Sequence, residues 1–443
     1  NTTGTVKKDS SNEVPAAENE QLQDTLSVSA REAGTLQDYE EIPGKVNRPE
    51  DIAIGKGSEV NRNVTEDGDE DSARGVAIGY NAKVMGGGSI AVGQEANVDG
   101  IDSIAVGNEA KSYGDGNVSV GMGTTVGTKD APVGFSIGIG AGSIVLNTNA
   151  VAIGAHAESR GGDSISMGTT SKAFARNSIA LGLNSHVDVD NEDEETSQNG
   201  IAIGTGAYTK GVSSVSIGAD AHAEGQHAAA YGNNSTAKGD DSTAMGHLAK
   251  ATGEKDATAV GYKSEASDNY ATALGSNSKA TGEESSTAVG YNSEANKSNS
   301  TAIGAQSKAY GEYSTALGPT SRAGGEASIA IGRVASAGGL NAIAIGQSSG
   351  AKGENAITMG YKSKAEGESS IAIGDNSNTF ENINAVALGA SSKINKNSNY
   401  STAIGSYSNV SAESGTALGY KASVASQNNV ALGATSNDEA GVG

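Results

Sequence analysis

Residues 301–318 read T-A-I-G-A-Q-S-K-A-Y-G-E-Y-S-T-A-L-G, so that Thr301-Ala302-Ile303-Gly304 returns fourteen residues later as Thr315-Ala316-Leu317-Gly318. Before each glycine a large residue, a small one and a β-branched one alternate with a period of two, which is the signature of a strand. After the glycine come two variable residues and then Ser307-Lys308-Ala309, small-polar-small: a second strand with one face in water and the other against something close. A second glycine, Gly311, returns the chain. Each repeat is therefore strand, turn, strand, turn.

Outward from this stretch the same glycine recurs twenty-six times between Gly55 and Gly433, and most of the twenty-five intervals are fourteen residues. A period this short excludes ordinary globular domains and predicts a solenoid in which each repeat is one turn stacked on the last. The expected fold is all-β: a flattened parallel roll of two sheets, its first strands roughly five residues long.

The first strand is constrained on both faces and the second on one. One face of the first strand packs inside the roll, and the other, some two dozen aliphatic side chains long, needs cover from outside the monomer. A closed homo-oligomer that buries the same sheet of every subunit satisfies this. The Ala/Ser/Gly face suits the thin interior and the Ile/Val/Leu/Thr face the symmetry axis. The reverse assignment also buries both faces.

Segments such as Ser89–Gly93 (S-I-A-V-G), Ser178–Gly182 (S-I-A-L-G), Ser328–Gly332 and Ser370–Gly374 (both S-I-A-I-G), each followed by x-x-A/S-x-A, resemble the head repeats of trimeric autotransporter adhesins of the YadA-like class. The resemblance spans residues 51 to 436. It implies a left-handed parallel β-roll, a homotrimer, and display on the outer membrane of a Gram-negative bacterium. The function it implies is that of an adhesin head binding a host cell-surface receptor or matrix glycoprotein, with a structural or self-associating fibre head as the alternative. Ile54, Ile78, Ile153, Ile203, Ile303, Ile331, Ile345 and Ile373, each just before a repeat glycine, are then assigned to the trimer interface. Neither neck, stalk nor membrane anchor is recognised here, so attachment to the membrane is expected only through a C-terminal anchor beyond these residues.

Composition agrees. The chain has 63 Gly, three Phe and neither Cys nor Trp, which leaves no aromatic core, disulfide or thiolate metal site. A net charge of −22 opposes nucleic acid as a partner. Catalytic groups and cofactor motifs do not stand out from the repeat background, and G-x-G matches carry no nucleotide signal where glycine marks every turn. The chain is expected not to be an enzyme and to need no cofactor.

Residues 1–50 lack the repeat and read as a flexible tip or as a cap over the first turn. Residues 51–436 form the roll, and 437–443 a short end before a neck or stalk. Three insertions interrupt the period after the second strand. The first holds Arg62, Glu66, Asp67, Asp69 and Arg74; the second Lys129, Asp130 and Pro132; the third Asp188, Asp190, Glu192, Asp193 and Glu194. Loops on a rigid scaffold commonly carry recognition, so these residues and Tyr80 are the candidate partner-binding set. The alternative is that they are tolerated surface excursions. Calcium is a further reading of the acidic runs, although neither matches a known calcium loop. Tyrosines also follow the repeat glycine at 262, 291, 361 and 420, as recognition rings or as shields over neighbouring turns. A threonine column at Thr243, Thr258, Thr272, Thr287, Thr301 and Thr315 raises an ice-binding reading, which burial of the same column in an oligomer opposes.

Overall fold

The computed structural model describes residues 44–46, 51–61, 74–188 and 199–438. They divide into two units, one ending at Asp163 and one starting at Ser164. Both are built of the same coil and contain no helix among the described residues. Twenty-six first strands of three residues are described, seven in the first unit and nineteen in the second. The second strands are mostly two residues long, and all pairing is parallel.

One turn shows why. Thr301–Ile303 is followed by Gly304 at φ 131° and Gln306 at φ 58°; Lys308–Ala309 is followed by Gly311 and then Tyr313 at φ 55°. A left-handed residue thus stands at both corners, about every seven residues, half the period of the sequence. These corners take the residues that a five-residue strand would have used. A Cβ on Gly304 would lie 2.6 Å from the Gly318 carbonyl carbon of the next turn, and one on Gly311 only 1.9 Å from the Gly325 oxygen. The φ at Gly304 and the closeness of the next backbone at both positions leave glycine as the residue that fits. The other corner residue is often Asn, as at Asn277, Asn292 and Asn299, because its short polar side chain tolerates the left-handed region.

The backbone groups find partners in the next rung. The Thr301 and Lys308 amides donate to the carbonyls of Ser314 and Ser321 at 2.8 and 2.9 Å, and the corner amide of Thr320 donates to Ala305 at 2.8 Å. Inside many corners a buried serine hydroxyl donates to the glycine carbonyl three residues before it, Ser307 to Gly304 at 2.8 Å and Ser314 to Gly311 at 2.6 Å; others hold alanine there, as at Ala335 and Ala342. The serine columns are therefore structural: they satisfy carbonyls that a thin interior could not hydrate.

The faces of the first strand are now assigned. Its central residue, Ala302 or Ala316 for instance, is fully buried, and the flanking β-branched and large residues point outward, half-buried or exposed. On the second strand Ser307 and Ala309 face in and Lys308 faces out. The interior is thus lined by Ala, Ser and Gly, with valine or isoleucine at a few turns such as Val60, Val126 and Ile394.

Candidate functional site

With the interior committed to packing, the surface offers four regions: the outward face of the first sheet, the outward face of the second, and the two corner edges.

The outward face of the first sheet carries the isoleucines assigned to an interface. Ile54, Ile78 and Ile153 lie on it in the first unit; Ile203, Ile303, Ile331, Ile345 and Ile373 lie on it in the second. Ile54 is 45% exposed and Ile303 38%. Among the described residues nothing covers Ile54 or Ile303 further. The companion column of the second unit changes character along its length, Ile and Val at 165–215, threonine from Thr243 to Thr315, then Ile and Val again from Ile329 to Val386.

The insertions connect a second strand to the next first strand, at the second corner. In the first unit the loop after Thr125–Val126 has Lys129, Asp130 and Pro132 exposed at its tip. The Thr128 amide donates to the Ala131 carbonyl, and the Ala131 amide to Thr128 Oγ1, both at 3.0 Å. Val133 re-enters the core. The fully buried Asn117 closes the base of the loop: its amide nitrogen donates to the carbonyls of Val133, Tyr113 and Gly114, and its oxygen accepts the Ser136 amide at 2.9 Å. Asn382 does the same at the irregular turn after Ile371–Ile373, donating to Thr379, Ile394 and Asn395 and accepting from Ser398. Sequence reading missed both. The available signal was an asparagine in a column that is otherwise small, next to a turn of unusual length.

Arg74 is exposed just ahead of Val76–Ile78, and Tyr80, 48% exposed, follows that strand at the first corner. The two corners are opposite edges of a coil, so Tyr80 stands apart from Arg74 and from the 128–132 loop. In the second unit Asp188 accepts a hydrogen bond from the Tyr208 hydroxyl at 3.2 Å and lies 3.9 Å from His186. There Phe174, His186, Tyr208 and His222 stack along the outward face of the second sheet with centroids 5.2–5.6 Å apart. Arg62, Glu66, Asp67, Asp69, Asp190, Glu192, Asp193 and Glu194 lie outside the described residues, and with them all but Asp188 of the acidic runs on which a calcium reading rests.

The corner tyrosines have neighbours. Lys263 stands over Tyr262 at 5.1 Å, Lys362 over Tyr361 at 4.9 Å and Lys421 over Tyr420 at 5.1 Å. The hydrogen bond and charge of Tyr361 hold the Lys362 ammonium above its usual range. These rings remain exposed but are shielded on one face by a cation.

A family model for the YadA head domain repeat matches the chain over residues 72–124, 135–157, 159–185, 196–235, 237–377 and 397–422. No curated protein matches it. The gaps in the family match at 125–134, 186–195 and 378–396 take in the inserted loop above Asn117, most of the third insertion, and the irregular turn at Asn382.

Proposed function

Because the chain belongs to the family of YadA head domain repeats, adhesin-type heads carried by surface-exposed autotransporter passengers, we propose that it binds a host cell-surface receptor or extracellular-matrix glycoprotein, as a homotrimer held at a bacterial outer membrane. Family and solenoid fold are structural rather than enzymatic, and heads of this family form trimers. The observation that carries the reading is the outward aliphatic ladder. Taking about 4.8 Å per rung and about 10 Å of strand, the second unit alone presents on the order of 900 Å² per copy, the size of a stable interface. Packing this face against two other copies leaves the corners and the second sheet as the working surface. Shallow contacts there gain from three copies per head and many heads per cell. Recognition is assigned to the insertions at 61–74, 124–133 and 187–199, with Tyr80 at the first corner, because loops on a rigid scaffold commonly carry it.

Replacing Ile303 and Ile331 by Asp should dissociate or aggregate the assembly, and sedimentation equilibrium reads the result. A monomer for the unmutated chain overturns the trimer. Trimming the three insertions to fourteen-residue turns should keep strand content and mass while abolishing attachment in a solid-phase screen of host glycoproteins. Undiminished attachment of the trimmed chain moves recognition to the repeat faces.

A further inference from the structure

The outward face of the first sheet in the second unit is monotonous except at one rung. In eighteen of its nineteen first strands the first residue is β-branched and the third is aliphatic or methionine, from Ile165/Met167 to Val430/Leu432. The exception departs at both positions at once: Ala229–Tyr231 has alanine where the β-branched residue belongs, and the one aromatic ring of the other column. Both residues stand outward and half-buried, on either side of the fully buried Ala230. The rungs paired with it are ordinary, Val215/Ile217 on one side and Thr243/Met245 on the other. The interior at this level, Ala223, Ala228 and Ala230, is alanine like that of the rungs around it. Packing inside the roll therefore asks neither for a missing side chain at 229 nor for an enlarged one at 231.

A repeating ladder has a difficulty of its own when copies assemble. One copy displaced along the axis by a single rung still sets a β-branched residue against an aliphatic one almost everywhere, Thr301 meeting Leu317 instead of Ile303, and loses one rung of cover in nineteen. Register is weakly specified where the pattern is uniform. One exceptional layer is enough to specify it, as a single odd residue does in a coiled coil. In a cyclic assembly whose axis runs along the ladder, the same rung of every copy lies at one level, and the first-residue column of one copy borders the third-residue column of the next. The deficit at Ala229 then lies where the excess at Tyr231 arrives.

We propose that Ala229 and Tyr231 are the register key of the trimer, each Tyr231 ring filling the gap over Ala229 of the next copy. Resting on the reading that first sheets pack against one another, the key decides which rungs meet. In register, a layer of Tyr and Ala has about the volume of a Thr and Leu layer such as Thr315/Leu317, so the sheets keep their spacing. A displacement of one rung drives the ring onto Val215 or Thr243 and sets Ile217 or Met245 over the emptied gap, which overpacks one junction and leaves a void in the other. The threonine column begins at Thr243, one rung beyond Ala229. The phenol of the incoming ring thus arrives beside a hydroxyl, the kind of partner a buried tyrosine needs.

The test uses the full chain with its methionines replaced by the photoreactive diazirine analogue of methionine, since Met167, Met245 and Met359 already stand in the third-residue column. Isotope-labelled and unlabelled chains are refolded together and irradiated, and mass spectrometry of the mixed pairs should join Met359 to Ile357 and Met167 to Ile165, the same rung of the next copy. Ala229→Thr with Tyr231→Leu turns the key into a copy of Thr315–Leu317. That double variant should keep the mass of three chains while links from Met359 to Ile343 or Ile371, one rung off, rise roughly tenfold. Ala229→Thr alone closes the gap and should raise the chain concentration at half-dissociation roughly tenfold, a loss that adding Tyr231→Leu restores. Parent trimers whose links scatter evenly over neighbouring rungs, a double variant that keeps one register, or an Ala229→Thr chain that assembles like the parent each overturn the key and leave the trimer standing. A parent that sediments as one chain overturns both.

Discussion

From Ala221 to Ala372 the interior of the second unit is alanine throughout the inner column of the second strand, whereas the first unit carries Val60, Val84, Val98, Val126 and Val145 in the same column. Both cores are fully buried, so valine has not forced the sheets apart. Room is made locally. A Cβ on Gly138 would lie 2.8 Å from Val126 Cγ2, and one on Gly75 2.6 Å from Val60 Cγ1. The second unit repeats the device outside its alanine stretch, where Gly200 receives Val187 and Gly415 receives Val410 and Val424. The separation of the sheets is set by the corners and their serine bonds, and the side chains share a constant volume between them.

The largest expected effect breaks that sharing where it is tightest. Gly138→Val drives a branched side chain into Val126 and Thr124 and should cost about 3 kcal/mol, read as a lower denaturant midpoint for the first unit. A variant of unchanged stability would mean that the sheets can separate. Next, Ala280→Val puts a valine into the alanine stretch opposite Ser286 and should cost about 1–2 kcal/mol. Adding Ser286→Gly reproduces the Val187–Gly200 pairing, so a double-mutant cycle should recover about half the loss; simple additivity would refute the volume exchange. The smallest effect is at the end of the second unit. Burial pushes the Asp438 carboxyl up, but hydrogen bonds from the Ala425 and Ser426 amides and Asn429 outweigh it and hold the group below the usual carboxylate range. With the folded value lowered, its contribution is present above the unfolded pKa of about 3.9 and lost as pH falls through the folded value. The Ala425 and Ser426 amide resonances should shift below about pH 4, and Asp438→Asn should remove that titration.

Stacking, period and strand order were legible because each rung repeats the same constraint, as Ile303 before Gly304 and Leu317 before Gly318 show. The left-handed residue at each of the two turns was not, because its identity varies from Asn277 to Tyr313 to Val334 and only the backbone is common to them. Which face of the first strand turns inward also needed the structure, since Ala302 and Ile303 are both apolar and burial alone separates them. Asn117 and Asn382 are inconspicuous in a chain rich in asparagine.

The glycine at the first corner has a consequence for how such a chain changes over generations. Along the regular turns each of these glycines lies against the backbone of the equivalent glycine one rung on, as Gly304 does against Gly318 and Gly318 against Gly332. Exchange of a glycine for any other residue collides with a neighbour, but loss or duplication of a whole rung leaves every remaining glycine facing another glycine. Unequal recombination between the repeats of the gene therefore yields viable chains in steps of one rung, while point mutation at that column does not. The number of rungs is the trait this architecture is free to vary.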